Sequence, residues 1–287
     1  MAAVEEIAPA TTMGAVELTV ADLERSLDYY RSNIGLEVIE HGVRRASLGA
    51  GGDELLVLVE EPGARPADGY TGLFHFALLV PTRVDLARWL AHAARDRVQL
   101  AGLSDHAVSE AIYLRDPDHH GIEIYADRPR AQWEGKVGEL MTTFPLDTGS
   151  LFGELDDPAT EPFDGLPAGT VMGHVHLRVA SIPEAVAFYR DVLGFGLVAQ
   201  LGNQAAFLSA GGYHHHLGAN TWESAGASAA PDGFASLRHA TIVLPDADER
   251  VRVLARVEDR PLPVREQDSE PVVSDPSGNT LVLRVSR

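Results

Sequence analysis

Two stretches of this chain are near copies of one another. Met13-Gly14-Ala15-Val16-Glu17-Leu18-Thr19-Val20 is followed by ADLERSLDYYRSNIGLEV, and Met172-Gly173-His174-Val175-His176-Leu177-Arg178-Val179 by ASIPEAVAFYRDVLGFGLV. Each reads as an alternating strand, a short link, an amphipathic helix and a glycine stop. Self-similarity of this kind restricts a chain to architectures built from repeated supersecondary units. The helices carry apolar residues at a period of 3.6: Leu23, Leu27, Tyr30 and Ile34 in one, Ile182, Val186, Tyr189 and Leu193 in the other. Gly35 and Gly194 fall where a helix C-terminus calls for a left-handed residue.

Two further units complete the pattern. The strand around Leu73–Pro81 precedes a helix near Val84–Ala94, and the strand Leu237–Pro245 precedes one near Ala247–Val257. Each of these units ends in a hairpin with an Asp-Pro turn, Asp116-Pro117 and Asp275-Pro276. The chain is therefore read as α+β, with four βαβββ modules at 13–61, 72–127, 172–222 and 236–286. They form two halves, 13–127 and 172–286, and the Pro-, Gly- and acid-rich stretch 128–171 reads as a linker.

Composition narrows the function. With 45% hydrophobic residues among 287, the chain can bury a core. Asp and Glu number 42 against 23 Lys and Arg, a formal charge of −19. That balance argues against nucleic acid or an anionic membrane as the main partner, since both require clustered cations. There is no cysteine, which removes disulfides, thiolate metal sites and thiol nucleophiles. No apolar run reaches the roughly 18 residues that span a bilayer, and MAAVEEIAPATT lacks a signal-peptide pattern. A soluble, cytoplasmic protein is the expectation.

Four βαβββ modules with these openings resemble the vicinal oxygen chelate superfamily, which includes glyoxalase I, the bleomycin-resistance proteins and the type I extradiol, ring-cleaving dioxygenases. The resemblance covers nearly the whole chain outside the linker and the first dozen residues. It implies that modules pair into two cup-shaped mixed-sheet barrels, with a divalent metal held by residues of the first and last strands of paired modules. On that basis module two offers His75 and Glu123, module three offers His174, and module four offers His239 but Val282 at the glutamate position. If consecutive modules pair, each cup lacks a ligand. If module two pairs with module three, one cup holds His75, His174 and Glu123, the set of two imidazoles and a carboxylate that non-haem Fe(II) uses. The second pairing is preferred, because one complete site explains these residues better than two incomplete ones.

A longer match favours ring cleavage. The extradiol dioxygenases share a stretch of His, an apolar residue and Tyr, Asp-Pro and then Glu, and this chain resembles it from His106 through Ile112-Tyr113 and Asp116-Pro117 to Glu123. It departs at His119, where the pattern expects Gly or Pro, and at Ser104. The resemblance implies a catechol-like aromatic substrate, O2 and Fe(II), with Mn(II) accepting the same ligands. A histidine from the partner module's last strand is implied as acid and base. His215 of the run His214-His215-His216 is favoured, and His216 is a candidate fourth ligand. Tyr113 and His106 are expected to hydrogen-bond the substrate. A glyoxalase-type isomerase or lyase on Zn or Ni, with His216 completing the ligands, and a non-catalytic drug- or aromatic-sequestering protein are the alternatives. Exposed sheet edges make a homo-oligomer possible. His239 is read as structural, His41 and His92 as surface residues, and His119 and His120 as solvated turn residues.

Overall fold

The computed structural model describes residues 5–260 and 262–286. Each opening strand (Thr12–Val20, Gly72–Leu79, Val171–Arg178 and Leu237–Leu244) is followed by a helix and three further strands. The helices start where side chains can cap them. Asp22, Thr82, Ser181 and Asp246 each accept a hydrogen bond from a backbone N–H three residues on. The first helix ends in a π-type turn over Tyr30–Ile34, and Gly35 then takes φ +89°. The ring of Phe163 lies so close to this glycine that a Cβ would collide with it.

Within a module the opening strand pairs in parallel with the last strand: Val16 with Leu56, Phe76 with Ile122, Val175 with Leu217 and Ala240 with Leu281. Between modules the opening strands pair antiparallel, and here the chain order is broken. Thr12–Val20 pairs with Leu237–Leu244, and Gly72–Leu79 with Val171–Arg178. Modules one and four therefore share an eight-stranded sheet, and modules two and three a nine-stranded one. Each sheet curls into a half-barrel.

Sequence-adjacent modules are tied by their helices instead. Tyr30, on the helix of module one, donates its hydroxyl to Asp116 in the Asp-Pro turn of module two at 2.8 Å. Tyr189 of module three does the same to Asp275 of module four, also at 2.8 Å. Both tyrosines are buried, and each aspartate uses its other oxygen to accept two backbone N–H groups of its turn.

Three expectations for individual segments are corrected. The stretch 128–171 contains short helices at Val137–Leu140 and Thr148–Phe152 and a two-residue strand, Phe144–Pro145, that extends the nine-stranded sheet against Ser104–Asp105. Widely spaced apolar anchors, Trp133, Val137, Leu146, Leu151 and Leu166, are buried and hold it down. His120 is buried rather than solvated, and its Nε2 donates to the carbonyl of Thr19. His92 is buried too, stacked on Phe163 with ring centroids 4.1 Å apart.

Tyr30→Phe leaves the buried Asp116 Oδ2 without its donor, at a cost of about 1–3 kcal/mol. Tyr189→Phe should cost less, because Asp275 Oδ2 still accepts from Asn279 Nδ2 at 2.9 Å. Urea denaturation followed by circular dichroism checks this, and an equal or larger loss for Tyr189→Phe would contradict it.

Candidate functional site

The nine-stranded sheet carries the chemistry. His75 lies on the opening strand of module two, His174 on that of module three, and Glu123 on the last strand of module two, Gly121–Asp127. Ala77 links the three: it faces His174 across the antiparallel pair and Glu123 across the parallel one. His75 shares Ala77's side of the strand, two residues away. The side chains converge over this small residue. His75 Nε2 is 3.0 Å from Glu123 Oε2, His174 Nε2 is 3.1 Å from the same oxygen, and the two nitrogens are 3.3 Å apart. All three residues are buried.

This triangle fits a metal ion. Bonds of about 2.1 Å meeting at right angles place donors about 3.0 Å apart. Two imidazole nitrogens and one carboxylate oxygen also suit a divalent first-row metal. Without a cation, two nitrogens crowd one oxygen and each other, and no arrangement of protons satisfies all three contacts. Burial pushes the Glu123 carboxyl upward, but the His174 and His75 rings outweigh it and hold it well below the ordinary carboxylate range. Burial lowers His174 to about 4, with Glu123 pulling the other way. Glu123 thus stands as an anion and His174 as a neutral ring with a lone pair to offer, the forms in which these groups bind a metal.

The site opens on a cavity of about 900 Å³. His75, Glu123, Tyr113, His106 and His215 line it, and Phe74, Phe207 and Trp222 form an aromatic wall. Tyr113 stands opposite Glu123 across the hairpin. Burial and the nearby Glu123 carboxylate push its hydroxyl far up, so it remains a phenol. His106 Nδ1 is 2.8 Å from the Thr142 carbonyl and can only donate to it, so Nε2 accepts the Tyr113 O–H, also at 2.8 Å. Thr142 belongs to the segment read as a linker. That segment supplies part of the cavity wall, along with the acceptor that fixes the His106 tautomer.

His214-His215-His216 precedes the last strand of module three, Leu217–Asn220, rather than lying on it. His215 lines the cavity, with its ring centroid 4.0 Å from that of His174. His216 does not join the metal cluster, contrary to the expectation of a fourth ligand. Its Nδ1 accepts the Ala210 N–H at 3.1 Å, and its ring packs on Tyr213. A backbone bond on one side and an aromatic ring on the other hold it out of the cup, and burial lowers it to about 3.

His176 was not singled out from sequence. It is buried, lines the cavity, stands opposite His75 and leaves Nε2 without a partner. The signal was present: two residues past His174 on a strand, it must share that side chain's face. The aromatic wall had no such local signal, since Phe74, Phe207 and Trp222 come from three separate segments.

In the eight-stranded sheet the equivalent positions hold no such set. Glu17 stands opposite His239, as His176 stands opposite His75, and Val282 takes the place of Glu123. The Glu17 carboxylate accepts from Arg238 at 2.9 Å and from Arg45 at 3.4 Å. Ion pairs occupy this second cup.

Fold and site together define a βαβββ metalloprotein, and the chain belongs to the Glyoxalase/Bleomycin resistance protein/Dioxygenase superfamily, whose family model matches residues 12–124 and 171–283. A particular relative is much closer: the chain is 43% identical, over 281 residues, to a catechol-2,3-dioxygenase of Bacillus subtilis (strain 168), covering 96% of this chain and 97% of that one. Among solved structures, glyoxalase I from Zea mays shares the fold with a TM-score of 0.55 at 17% identity, over 96% of this chain and 92% of that one. The cppA protein from Streptococcus pneumoniae TIGR4 does so with a TM-score of 0.55 at 13% identity, over 99% and 100%. No helix among the described residues is long and apolar enough to cross a membrane.

The depressed His174 has a consequence for stability. Its folded value of about 4 lies below the ordinary 6.5, so between these values the unfolded chain binds more protons. The metal-free protein should therefore hold its full stability from this group above pH 6.5 and lose up to about 3 kcal/mol as pH falls toward 4. Thermal melts across that range test this, and a flat profile would contradict it.

Proposed function

We propose that this protein is an extradiol dioxygenase that opens a catechol-like aromatic ring with O2, using Fe(II) held by His75, His174 and Glu123. The single observation that carries the reading is the His75–Glu123–His174 triangle, facing a cavity whose wall also carries His215, Tyr113 and His106. The 43% identical catechol-2,3-dioxygenase supports the same reaction class.

Bound by these three residues, a divalent iron would supply the Lewis acidity that lowers a phenol's pKa and the redox capacity that O2 chemistry needs. The remaining work falls to the chain. Phe74 and Trp222, whose rings meet edge to face at 5.2 Å, give an aromatic ring an apolar wall. His215, held well below the ordinary imidazole range by burial and by neighbouring His174, is an uncharged base. It takes the second catechol proton and later returns it. Tyr113, a buried phenol that donates its O–H to His106, offers its oxygen as an acceptor to the substrate. Manganese(II) suits the same donors. The glyoxalase-type alternative loses its fourth ligand with His216, and a purely sequestering role leaves the convergent buried donors without a purpose.

Glu123→Gln and His174→Ala should each abolish iron retention and lower ring cleavage by at least about 100-fold, while His239→Ala leaves both unchanged. Iron content by elemental analysis and oxygen uptake with catechol measure this. A Glu123→Gln protein with full iron and full turnover would refute the assignment.

A further inference from the structure

His214 lies beside His215, its side chain wholly buried, and has no part in the chemistry above. We propose that Asp127 and His214 are positioning residues that fix the tautomer of His215, holding its proton on Nδ1 and leaving Nε2 as the basic nitrogen. The inference rests on the reading of His215 as the acid–base group.

Asp127, His214 and His215 form a chain of hydrogen bonds. Asp127 Oδ1 lies 2.9 Å from His214 Nε2. A carboxylate can only accept, so this nitrogen carries the hydrogen. In the proposed relay each ring carries one hydrogen; with that of His214 committed to Asp127, its Nδ1 is a lone pair. His215 Nδ1 lies 2.8 Å from it and must donate. The neutral His215 ring has one hydrogen and has committed it, so Nε2 is bare, and the ring lines the cavity. Were the tautomer reversed, Nε2 would present a hydrogen to the substrate and could take no proton from it.

The surroundings are built for this relay. Asp127 ends the strand that carries Glu123, four residues on and so on the same face. One strand thus supplies both the metal's carboxylate and the carboxylate that orients the base. Tyr213 donates to Asp127 Oδ1 as well, at 3.3 Å, and its oxygen lies 2.8 Å from the Tyr125 hydroxyl. The rings of Tyr213, Trp133 and Tyr125 stand around His214 at centroid distances of 4.0, 5.7 and 5.9 Å, which keeps water from competing for its nitrogens.

The test uses the full chain labelled with nitrogen-15 in its imidazoles. In the metal-free wild type, long-range proton–nitrogen correlation should show His215 protonated at Nδ1 and bare at Nε2. His214→Phe keeps a ring but removes the acceptor. It should move the His215 proton to Nε2 and, in the Fe(II)-loaded protein with catechol, lower kcat about 10–100-fold while KM stays within about twofold. His214→Asn, whose carbonyl can stand in for Nδ1, should restore both the tautomer and most of kcat. A wild-type His215 carrying its proton on Nε2 overturns the proposal. So does a folded His214→Phe protein with unchanged tautomer and kcat. If His214→Phe does not fold, the wild-type spectrum and the His214→Asn pair decide the question. If the wild type fails to cleave catechol at all, the ring-cleavage reading falls, while the tautomer measurement still stands or fails by itself.

Discussion

The antiparallel pairing of Gly72–Leu79 with Val171–Arg178 is the contact on which the site depends. It joins two modules separated by more than 40 residues of intervening chain, and its register sets Ala77 against His174 and His75 against His176. Register shifts on either side of His174 and His176 lie in this same pairing. Because side chains alternate across a strand, a slip of one residue would turn every donor to the opposite face. Ala77 matters through its size. It lies between three converging side chains, and a longer residue there would occupy the space in which their donor atoms meet.

Much of this was legible in the sequence. The internal copy announced the modules, the 3.6 period located the helices, and histidines at equivalent repeat positions pointed to one cup rather than two. The preference for joining modules two and three rested on counting donors, and the strand pairing has that order. What was not legible has a common physical cause. His216 adjoins His215 in sequence, but which of them faces the cavity is decided by a bend and by the Ala210 amide, which no local pattern announces. His120 looks like a turn residue until Thr19, 101 positions away, supplies its acceptor. The stretch 128–171 has the composition of a linker, and a handful of anchors such as Trp133 and Leu151 nevertheless pin it against the sheet.

The two half-barrels show two ways in which one scaffold houses a buried carboxylate. In one, buried polar groups are left to converge on a shared centre. In the other, Glu17 is neutralised by Arg238 and Arg45, and the position equivalent to Glu123 is the apolar Val282. A buried carboxylate needs a cation in either setting. The eight-stranded sheet carries its cations covalently, as arginines, while the nine-stranded sheet surrounds Glu123 with two buried imidazoles.

The division of three convergent donors between the two halves sets an order on how the site is made. An emerging chain that ends before Val171 owns His75 and Glu123 but lacks His174, so it holds two donors of three and no partner strand to align them. The donor set is completed only when the sheet closes, so the site and the central seam assemble as one event.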